Sequence, residues 1–413
     1  CCMLGHASSD YIEPLTKGSD VGGSGYWSSI GEAANIVEKL PLNIDVHTAF
    51  IFNLDKDNFQ ESLNSEFRYG GDGEVELPLS NGKSLRLNFF ERSNFAPELS
   101  QKYPGIKSFR GYAVDHPHIL AYLSTSPSGI DATMINTTSG KRTYIHPISN
   151  QDKRYVAYTD LEHSDDHEHL TCFTEIDEHT NKLLDDGIPK GLTKSREGFS
   201  GAANMSMLTR FSDESALSTY RFAVATNGQY TNYHGGSVES GLAAVNTLLT
   251  GLNFITETDI GVHLELIANN DLIIYTDSNT DPFDDSLNNA NAVLQQTLDS
   301  TIGSGNYDVG HLFSGVGGGG NAGAIGSVCN NATKGSAWSA DSQPRGSDFK
   351  NLVAHELGHQ LGANHTFSDQ TEGTGVNVEP MTGSTIMSYG ATGRDDFVFF
   401  RDDYYHNVSV GQA

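Results

Sequence analysis

The feature that most constrains this chain is the run HELGHQLGANH at residues 355–365. In a helix, residues four apart lie on one face, so His355 and His359 can present ring nitrogens to one metal ion. Gly362 suits a sharp exit from that helix, because glycine adopts positive φ without a steric penalty. The turn would bring His365 back as a third ligand. Three neutral imidazoles leave one coordination position open, as a catalytic zinc site requires.

Glu356 lies in the same helix, next to the open coordination position rather than among the ligands. Zinc lowers the pKa of its bound water towards about 7 and polarises a carbonyl group. Glu356 is therefore predicted to take a proton from that water and to pass it to a leaving amine. The alternative is that these histidines are surface residues of an amphipathic helix.

A second motif, TIMSYG, follows at residues 385–390. A long zinc motif followed by a methionine-containing turn resembles the metzincin superfamily of zinc peptidases. The resemblance implies that Met387 forms the apolar floor under the zinc without binding it. It also implies that Tyr389 binds zinc or stabilises the oxyanion, and an ordinary packed tyrosine is the alternative.

Within the metzincins, the zinc motif is most similar to the reprolysin (adamalysin, ADAM-like) group. Three further stretches resemble the reprolysin-like peptidases of bacteria: Tyr220–Gly236, IANNDLIIY at 267–275 and YDVGHLF at 307–313. The resemblance spans residues 218–407. The sequence departs from the group at Thr366, where reprolysins have Asp, and in having Cys329 as the only cysteine of this region. Metzincins run through a final helix where this chain ends, which leaves truncation or processing open.

The periodicity of the chain predicts three parts. Residues 1–160 contain short β-rich segments and turn signals such as Asn81-Gly82, which indicate a β-rich domain. Residues 161–217 show little periodicity and are interpreted as a linker or activation segment. Residues 218–413 alternate strands and helices, which is typical of an α/β layer. The resemblance implies that this last part is a metzincin catalytic domain, with a twisted, mostly parallel sheet and an antiparallel edge strand, and that the first is a pro-domain.

The sequence pattern also predicts individual helices and strands. Helices are predicted over Gly235–Phe254 and Ala290–Ile302. The glycine run Gly317–Gly320 lacks the Lys-Ser/Thr ending of a phosphate-binding loop and is interpreted as a flexible turn, with Ala322–Cys329 as an edge strand. The predicted strands in the rest of the chain are Ile44–Asn53, Glu74–Leu79, Ser84–Phe90, Ala121–Ser124, Ile130–Ile135, Arg142–His146, Tyr220–Ala225, Ile260–Ile267, Leu272–Tyr275 and Asp308–Phe313.

The four cysteines, Cys1, Cys2, Cys172 and Cys329, are too few for a disulfide scaffold. A thiolate is an excellent zinc ligand and would displace the catalytic water. We therefore hypothesise a cysteine switch in which Cys172 binds the zinc and the pro-domain acts as an intramolecular inhibitor. The alternatives are a buried core thiol at Cys172, or inhibition by Cys1, Cys2 or the carboxylate of Asp177.

The net charge of −27 argues against a nucleic-acid partner, and no apolar run is long enough to span a membrane. The chain is expected to be secreted by a bacterium after removal of an N-terminal signal, with a lipid anchor at Cys1 as an alternative. Two acidic groups are candidates for accessory metals, and a solvated surface or a linker is the alternative for each. Ca²⁺ could bind Asp277, Asp281, Asp284 and Asp285, and another metal could bind His163, Asp165, Asp166, His167 and His169.

The sequence as a whole predicts a zinc-dependent endopeptidase in its proenzyme form, acting on proteins or peptides. A catalytically silent binding module and a zinc hydrolase acting on another amide are the rival interpretations. Residues 391–400 would form the S1′ wall, but they do not reveal which side chain it prefers. The stretch between Ser195 and Ser218 is a candidate region for the activating cleavage, but the sequence does not specify the site.

Overall fold

The computed structural model describes residues 25–32 (backbone alone for 31 and 32), 49–68 (backbone alone for 64–68), 73–148, 153–159, 172, 174, 217–369, 373–390 and 402–413. The strands are β1 Trp27–Glu32, β2 Ala49–Leu54, β3 Gly73–Pro78, β4 Ser84–Glu91, β5 Lys107–Ala113, β6 Ile119–Ser126, β7 Gly129–Asn136, β8 Arg142–Pro147, β9 Arg154–Thr159, β10 Ser218–Thr226, β11 Val262–Leu266, β12 Val309–Ser314, β13 Gly318–Asn321 and β14 Ala337–Asp341. The helices are α1 Lys56–Arg68, α2 Pro97–Lys102, α3 Gly228–Tyr233, α4 Val238–Asp259, α5 Ala290–Thr301, α6 Gly346–Leu361 and α7 Asn407–Val410, with 3₁₀ turns at Asn270–Ile273 and Ser304–Asn306.

The first nine strands form one antiparallel sheet, in the order β1-β2-β9-β8-β7-β6-β5-β4-β3. Alternate residues of β4, namely Leu85, Leu87 and Phe89, are buried, because successive side chains of a strand point to opposite faces. Phe59 and Leu63 of α1 cover that face and complete its core. The β-rich character predicted for the N-terminal part is therefore present in the residues that the structure describes.

The second sheet has the order β11-β10-β12-β14-β13. Its first four strands are parallel, and β13 pairs antiparallel with β14 at the edge. Helices α4 and α6 pack against one face and α5 against the other, and every residue of β12 is buried as a consequence. The mixed α/β architecture agrees with the prediction from the alternating pattern.

The two sheets share a hydrophobic core through the segment that follows β4. The backbone of Ala96 donates to the carbonyl of Leu266 at 2.8 Å, and Leu266 donates to that of Asn94 at 2.8 Å, so this segment extends the second sheet beside β11. The buried Asn94 side chain accepts a hydrogen bond from Asn253 of α4 at 2.9 Å, and Phe95 enters the core around α4. The N-terminal sheet therefore packs directly on the α/β part.

A buried ion pair reinforces this contact. The guanidinium of Arg110 in β5 contacts the carboxylate of Glu257 in α4, and both side chains are at most 5% exposed. Glu257 also accepts a hydrogen bond from His263 at 2.6 Å. Burial would raise the pKa of Glu257, but the His263 hydrogen bond and the Arg110 charge outweigh it and lower the pKa. The carboxylate therefore stays ionised, and losing one partner of such a pair would leave an uncompensated buried charge.

Two of the predicted elements differ clearly from the structure. The segment predicted as a strand at Leu272–Tyr275 begins within a 3₁₀ turn and makes only an isolated bridge to Thr226. Here the Asn270 side chain takes the place of a strand, because it hydrogen-bonds both the N–H and the C=O of Val224 in β10. The predicted helix at Gly235–Phe254 begins later, at Val238, because Ser237 and Ser240 form a capping box. Of the strand predicted over Ile44–Asn53, residues 44–48 lie outside the described residues.

The prediction for the edge strand was wrong. The edge strand is β13, which overlaps the glycine run Gly317–Gly320 that was expected to be a flexible turn, whereas Ala322–Cys329 forms turns. A Cβ atom on Gly320 would lie 2.5 Å from Cγ of Glu356. The glycine therefore allows the strand to pass closely over helix α6, a requirement of the tertiary structure that local propensity does not contain.

Candidate metal centre and active site

Helix α6 carries the first two histidines of the motif and ends at Leu361, with Gly362 as its C-cap. That glycine has a φ of 118°, and its N–H donates to the carbonyl of His359 at 3.0 Å. Ala363 then donates to the carbonyl of Gly358 at 2.9 Å, which closes the last turn. The left-handed residue reverses the chain and directs His365 back towards the helix.

The three imidazoles converge through their Nε2 atoms. Nε2 of His365 lies 3.2 Å from Nε2 of His355 and 3.1 Å from Nε2 of His359. A tetrahedral zinc ion with Zn–N bonds of about 2.05 Å separates its nitrogen ligands by about 3.3 Å. The three side chains are buried, and these two separations fit such an ion closely.

Hydrogen bonds from Nδ1, the ring nitrogen that faces away from the cluster, set the tautomers of His355 and His359. Nδ1 of His355 donates to the carbonyl of Ile386 at 2.7 Å, and Nδ1 of His359 donates to the carbonyl of Ala363 at 2.8 Å. The Nε2 lone pairs therefore point at the common centre, the arrangement expected of metal-binding histidines. Burial and the two neighbouring imidazoles lower the pKa of His359 well below its ordinary value, so its ring is neutral, as ligation requires.

Cys172 completes the cluster. Its Sγ lies 3.6 Å from Nε2 of His359, and the four ligand atoms of Cys172, His355, His359 and His365 all lie within 4.8 Å of one another. A tetrahedral zinc with one thiolate would separate sulfur and nitrogen by about 3.6 Å. Burial and the nearby Glu356 carboxylate raise the pKa of the thiol, so its ionisation needs a cation at this centre. Within the described part of the chain, this is the one group of three or more such ligands close enough to hold a metal ion.

Glu356 is fully buried next to this cluster. Its Oε2 accepts a hydrogen bond from Oγ1 of Thr174 at 3.0 Å and lies 3.8 Å from Sγ of Cys172. Its Oε1 has no hydrogen-bond partner among the described residues. Burial raises the pKa of Glu356 to about 8, and the hydrogen bond from Thr174 opposes that rise. A carboxyl group with such a pKa can exchange protons near neutral pH, as a general base must.

The segment that contains Cys172 lies along the edge strand. Cys172 forms a parallel bridge with Gly320 of β13, and the N–H of Ala322 donates to Oγ1 of Thr174 at 2.7 Å. The exposed backbone of an edge strand binds extended peptides by strand addition. Residues 172 and 174 therefore occupy the place where an extended peptide would lie beside the cluster.

Met387 packs against helix α6, and Tyr389 lies beside the cluster. Met387 is fully buried against α6, where a Cβ atom on Gly358 would be 2.3 Å from its Sδ. Its carbonyl accepts a hydrogen bond from the N–H of Thr366 at 3.0 Å, which ties the methionine turn to the residue after His365. The ring of Tyr389 lies 4.9 Å from that of His365, centroid to centroid. Met387 is thus a packing residue here, and the tyrosine is close enough to the site to take part in its chemistry.

Glu379 is a site residue that the sequence did not single out. It is buried, and its carboxylate accepts hydrogen bonds from the hydroxyls of Thr366 and Thr385 and from the backbone N–H groups of Ser384 and Thr385. It thereby joins the residue after His365 to the methionine turn. Thr366 stands where reprolysins have Asp, and that departure is the signal that could have prompted a search for a carboxylate elsewhere.

The structure does not bring every candidate residue together. Asp277, Asp281 and Asp284 accept hydrogen bonds from backbone N–H groups of nearby turn residues, and they form no metal-binding group with Asp285. Calcium binding is therefore unsupported. The remaining candidates lie outside the described residues: Cys1, Cys2, His163, Asp165, Asp166, His167, His169, Asp177 and the S1′ segment 391–400.

Comparison with known proteins bears on the second half of the chain. Residues 216–412 match the family model of the reprolysin-like metallopeptidases of family M12B. A search of curated proteins finds no match to the chain. Among the described residues, no helix has the length and apolar character needed to cross a membrane.

Proposed function

Because residues 216–412 are a reprolysin-like metzincin domain, a zinc metalloendopeptidase, we propose that the chain is the secreted proenzyme of a peptidase that cleaves proteins at internal bonds. In this proposal His355, His359 and His365 hold the zinc, and Glu356 is the general base. The observation that carries the proposal is the convergence of these histidines with Cys172, all four ligand atoms lying within 4.8 Å.

Zinc at this centre would polarise the scissile carbonyl and lower the pKa of a water molecule. Glu356 then takes the proton of that water on its carboxylate and passes it to the leaving amine. Gly320 gives this carboxylate room, and the backbone of β13 aligns the substrate by hydrogen bonds to its main chain. Tyr389 is proposed to donate a hydrogen bond to the oxyanion that develops on the substrate carbonyl.

In the proenzyme, two residues of the pro-segment would block two different catalytic groups. The Cys172 thiolate takes the remaining coordination position, and the Thr174 hydroxyl holds the Glu356 carboxylate. The parallel bridge to Gly320 also covers the edge of β13 that the substrate needs. Activation then requires a cut on the C-terminal side of Thr174, which we place between Ser195 and Ser218, followed by departure of this segment.

Casein hydrolysis by the purified chain, before and after limited proteolysis and with or without a zinc chelator, tests the proposal. The intact chain should be inactive, and the cut chain should be active until zinc is removed. Glu356→Ala should be inactive in both forms while still binding zinc, because it removes the base and no ligand. Absence of activity in the cut wild-type chain with zinc bound would refute the assignment.

Two substitutions and one control test the latency mechanism separately from the peptidase activity. Cys172→Ala should give the uncut chain measurable activity, and Thr174→Val should give less, because the sulfur ligand remains. Cys329→Ala removes the exposed free cysteine and should change nothing. If Cys172→Ala left the uncut chain as inactive as the wild type, the cysteine switch would be wrong while the peptidase assignment could stand.

A further inference from the structure

A cavity of about 330 Å³ lies between the N-terminal sheet and the helices of the peptidase domain. Its lining residues include neither the four residues of the metal cluster nor Glu356. Small-molecule sites usually have volumes of about 300–1,000 Å³ and often lie where two structural units meet. This cavity therefore has the size and the position of a ligand site separate from the peptidase centre.

The floor of the cavity is the outer face of the N-terminal sheet. Tyr122, Thr133 and Tyr144 are direct partners on β6, β7 and β8, so their side chains lie side by side. Asp131 and His146, which also line the cavity, follow on the same face and contact each other at 2.5 Å. The floor thus combines aromatic rings with polar groups.

The opposite wall is formed by α3, α4 and the N-terminus of α6. It contributes apolar and aromatic side chains, of which Tyr230, Leu248 and Phe254 are the most deeply buried. The ring of Phe254 lies 4.3 Å from that of Tyr122, centroid to centroid, so the two walls meet at one end. A ligand between them would contact both the N-terminal sheet and the peptidase domain.

Three buried polar atoms on the lining have no hydrogen-bond partner among the described residues: the hydroxyl of Tyr122, Nε2 of His146 and Nε of Arg345. Tyr122 is only 3% exposed, and a buried donor without an acceptor is costly. Tyr122 and Arg345 are donors, whereas the role of His146 Nε2 depends on the tautomer of its ring. At least two of these three unpaired atoms are donors, so the cavity lining lacks hydrogen-bond acceptors more than it lacks donors.

The charges at the cavity favour an anion. Asp131 contacts His146, and Asp403 contacts both Lys350 and Arg142, so the acidic groups of the lining are already paired. Arg345 makes no ion pair with any described residue, although it lies over the ring of Tyr233.

Arg345 also stands at the N-cap of α6 and provides no side-chain cap, and the first residues of this helix, Gly346 and Ser347, line the cavity. The positive end of a helix attracts anions. Asp348 in its first turn is not among the lining residues.

We propose that this cavity binds a small organic carboxylate with an aromatic or aliphatic body. Its carboxylate accepts hydrogen bonds from Arg345 and from the N-terminus of α6, its body packs between Tyr144 and the apolar wall, and Tyr122 donates a further hydrogen bond. Such a ligand holds the N-terminal sheet against the peptidase domain and stabilises their association. The binding step itself does not depend on peptidase activity.

Calorimetric titration of the full chain with 3-phenylpropionate tests the site, with 3-phenylpropanamide as the uncharged probe of the same shape. The carboxylate should bind about tenfold more tightly than the amide, the difference expected for a hydrogen bond to a charged group. Arg345→Gln should weaken the carboxylate by about tenfold and remove the preference over the amide. Tyr122→Phe, which keeps the ring, should weaken binding by a smaller factor.

Two matched variants control for general effects. Arg86→Gln removes an exposed arginine, and Tyr103→Phe removes a hydroxyl, both outside the cavity. Both should bind 3-phenylpropionate as the wild type does. The proposal is overturned if neither probe binds saturably at about 10 mM, if acid and amide bind equally, or if Arg345→Gln leaves the affinity for the acid unchanged.

Discussion

Glu379 offers a sharp test of how the metal centre is supported. Its carboxylate accepts from Oγ1 of Thr385 at 2.5 Å, from the N–H of Ser384 at 3.0 Å and from the N–H of Thr385 at 3.1 Å, as well as from the Thr366 hydroxyl. Burial would raise the pKa of this carboxyl, but these hydrogen bonds together outweigh it and lower the pKa. Glu379 is therefore ionised, and four donors depend on it.

The expected cost follows from those four bonds. Glu379→Ala leaves all four donors without their acceptor and should destabilise the peptidase domain by about 4 kcal/mol, since each buried unsatisfied group costs about 1–3 kcal/mol with partial relief from water. Glu379→Gln keeps one acceptor oxygen but turns an NH₂ group towards donors, and should cost about 2 kcal/mol. For a domain of this size, these values correspond to decreases in Tm of about 8–16 °C and 4–8 °C.

Thermal unfolding followed by circular dichroism, with excess zinc present, measures both effects. Because the pKa of Glu379 is lowered in the folded state, its contribution to stability is complete above the unfolded value of about 4.3 and is lost as pH falls through the lower folded value. The wild type and Glu379→Gln should therefore converge in strong acid. Glu239→Gln, an exposed glutamate of α4, is the matched control and should leave Tm almost unchanged.

Substitution of Glu379 should also change the affinity for zinc. Thr366 directly follows His365, so Glu379→Gln is expected to weaken zinc binding in a chelator competition, by about the 10–100-fold that loss of such outer contacts costs. Equal Tm and equal zinc affinity for Glu379→Gln and the wild type would refute this account of the hydrogen bonds.

Two further substitutions have defined outcomes. Burial raises the pKa of Asp259 to about 6. Ionisation of this carboxyl group therefore destabilises the folded state as pH rises from about 4 to 6. We expect Asp259→Asn to be more stable than the wild type by about 2 kcal/mol at pH 7.5. Thermal unfolding across this range should show the difference vanish below pH 4, and a constant difference would contradict the raised pKa. Gly320→Ala places a Cβ 2.5 Å from Cγ of Glu356 and should lower kcat of the activated enzyme strongly while zinc content stays normal. Wild-type kcat in this variant would show that the close approach of β13 is not needed.

The parts of the molecule that depend on local sequence were the easiest to predict. Buried and exposed residues alternate along β4 because one face of its sheet is buried. Strands and helices alternate after β10 because helices cover both faces of the second sheet. The convergence of His355, His359 and His365 follows from helical spacing and one glycine turn, so the candidate metal site could be proposed from eleven consecutive residues.

The remaining features depend on contacts between distant residues. The glycines of β13 form a strand because β14 pairs with them, and at Gly320 the side chain of Glu356 leaves no space for a Cβ atom. Asn270 replaces a strand partner of β10 by side-chain hydrogen bonds, and Glu379 accepts from residues on two separate turns. No local pattern specifies these long-range partners, so one sequence could not reveal them.

The central claim is that one zinc ion is held by three imidazoles and, in the proenzyme, by the sulfur of Cys172. Zinc K-edge X-ray absorption of the intact chain measures this directly. The account predicts three nitrogen neighbours at about 2.0–2.1 Å and one sulfur at about 2.3 Å, with the sulfur lost after proteolytic activation and in Cys172→Ala. A first shell without sulfur in the intact chain, or a sulfur that persists in Cys172→Ala, would contradict it.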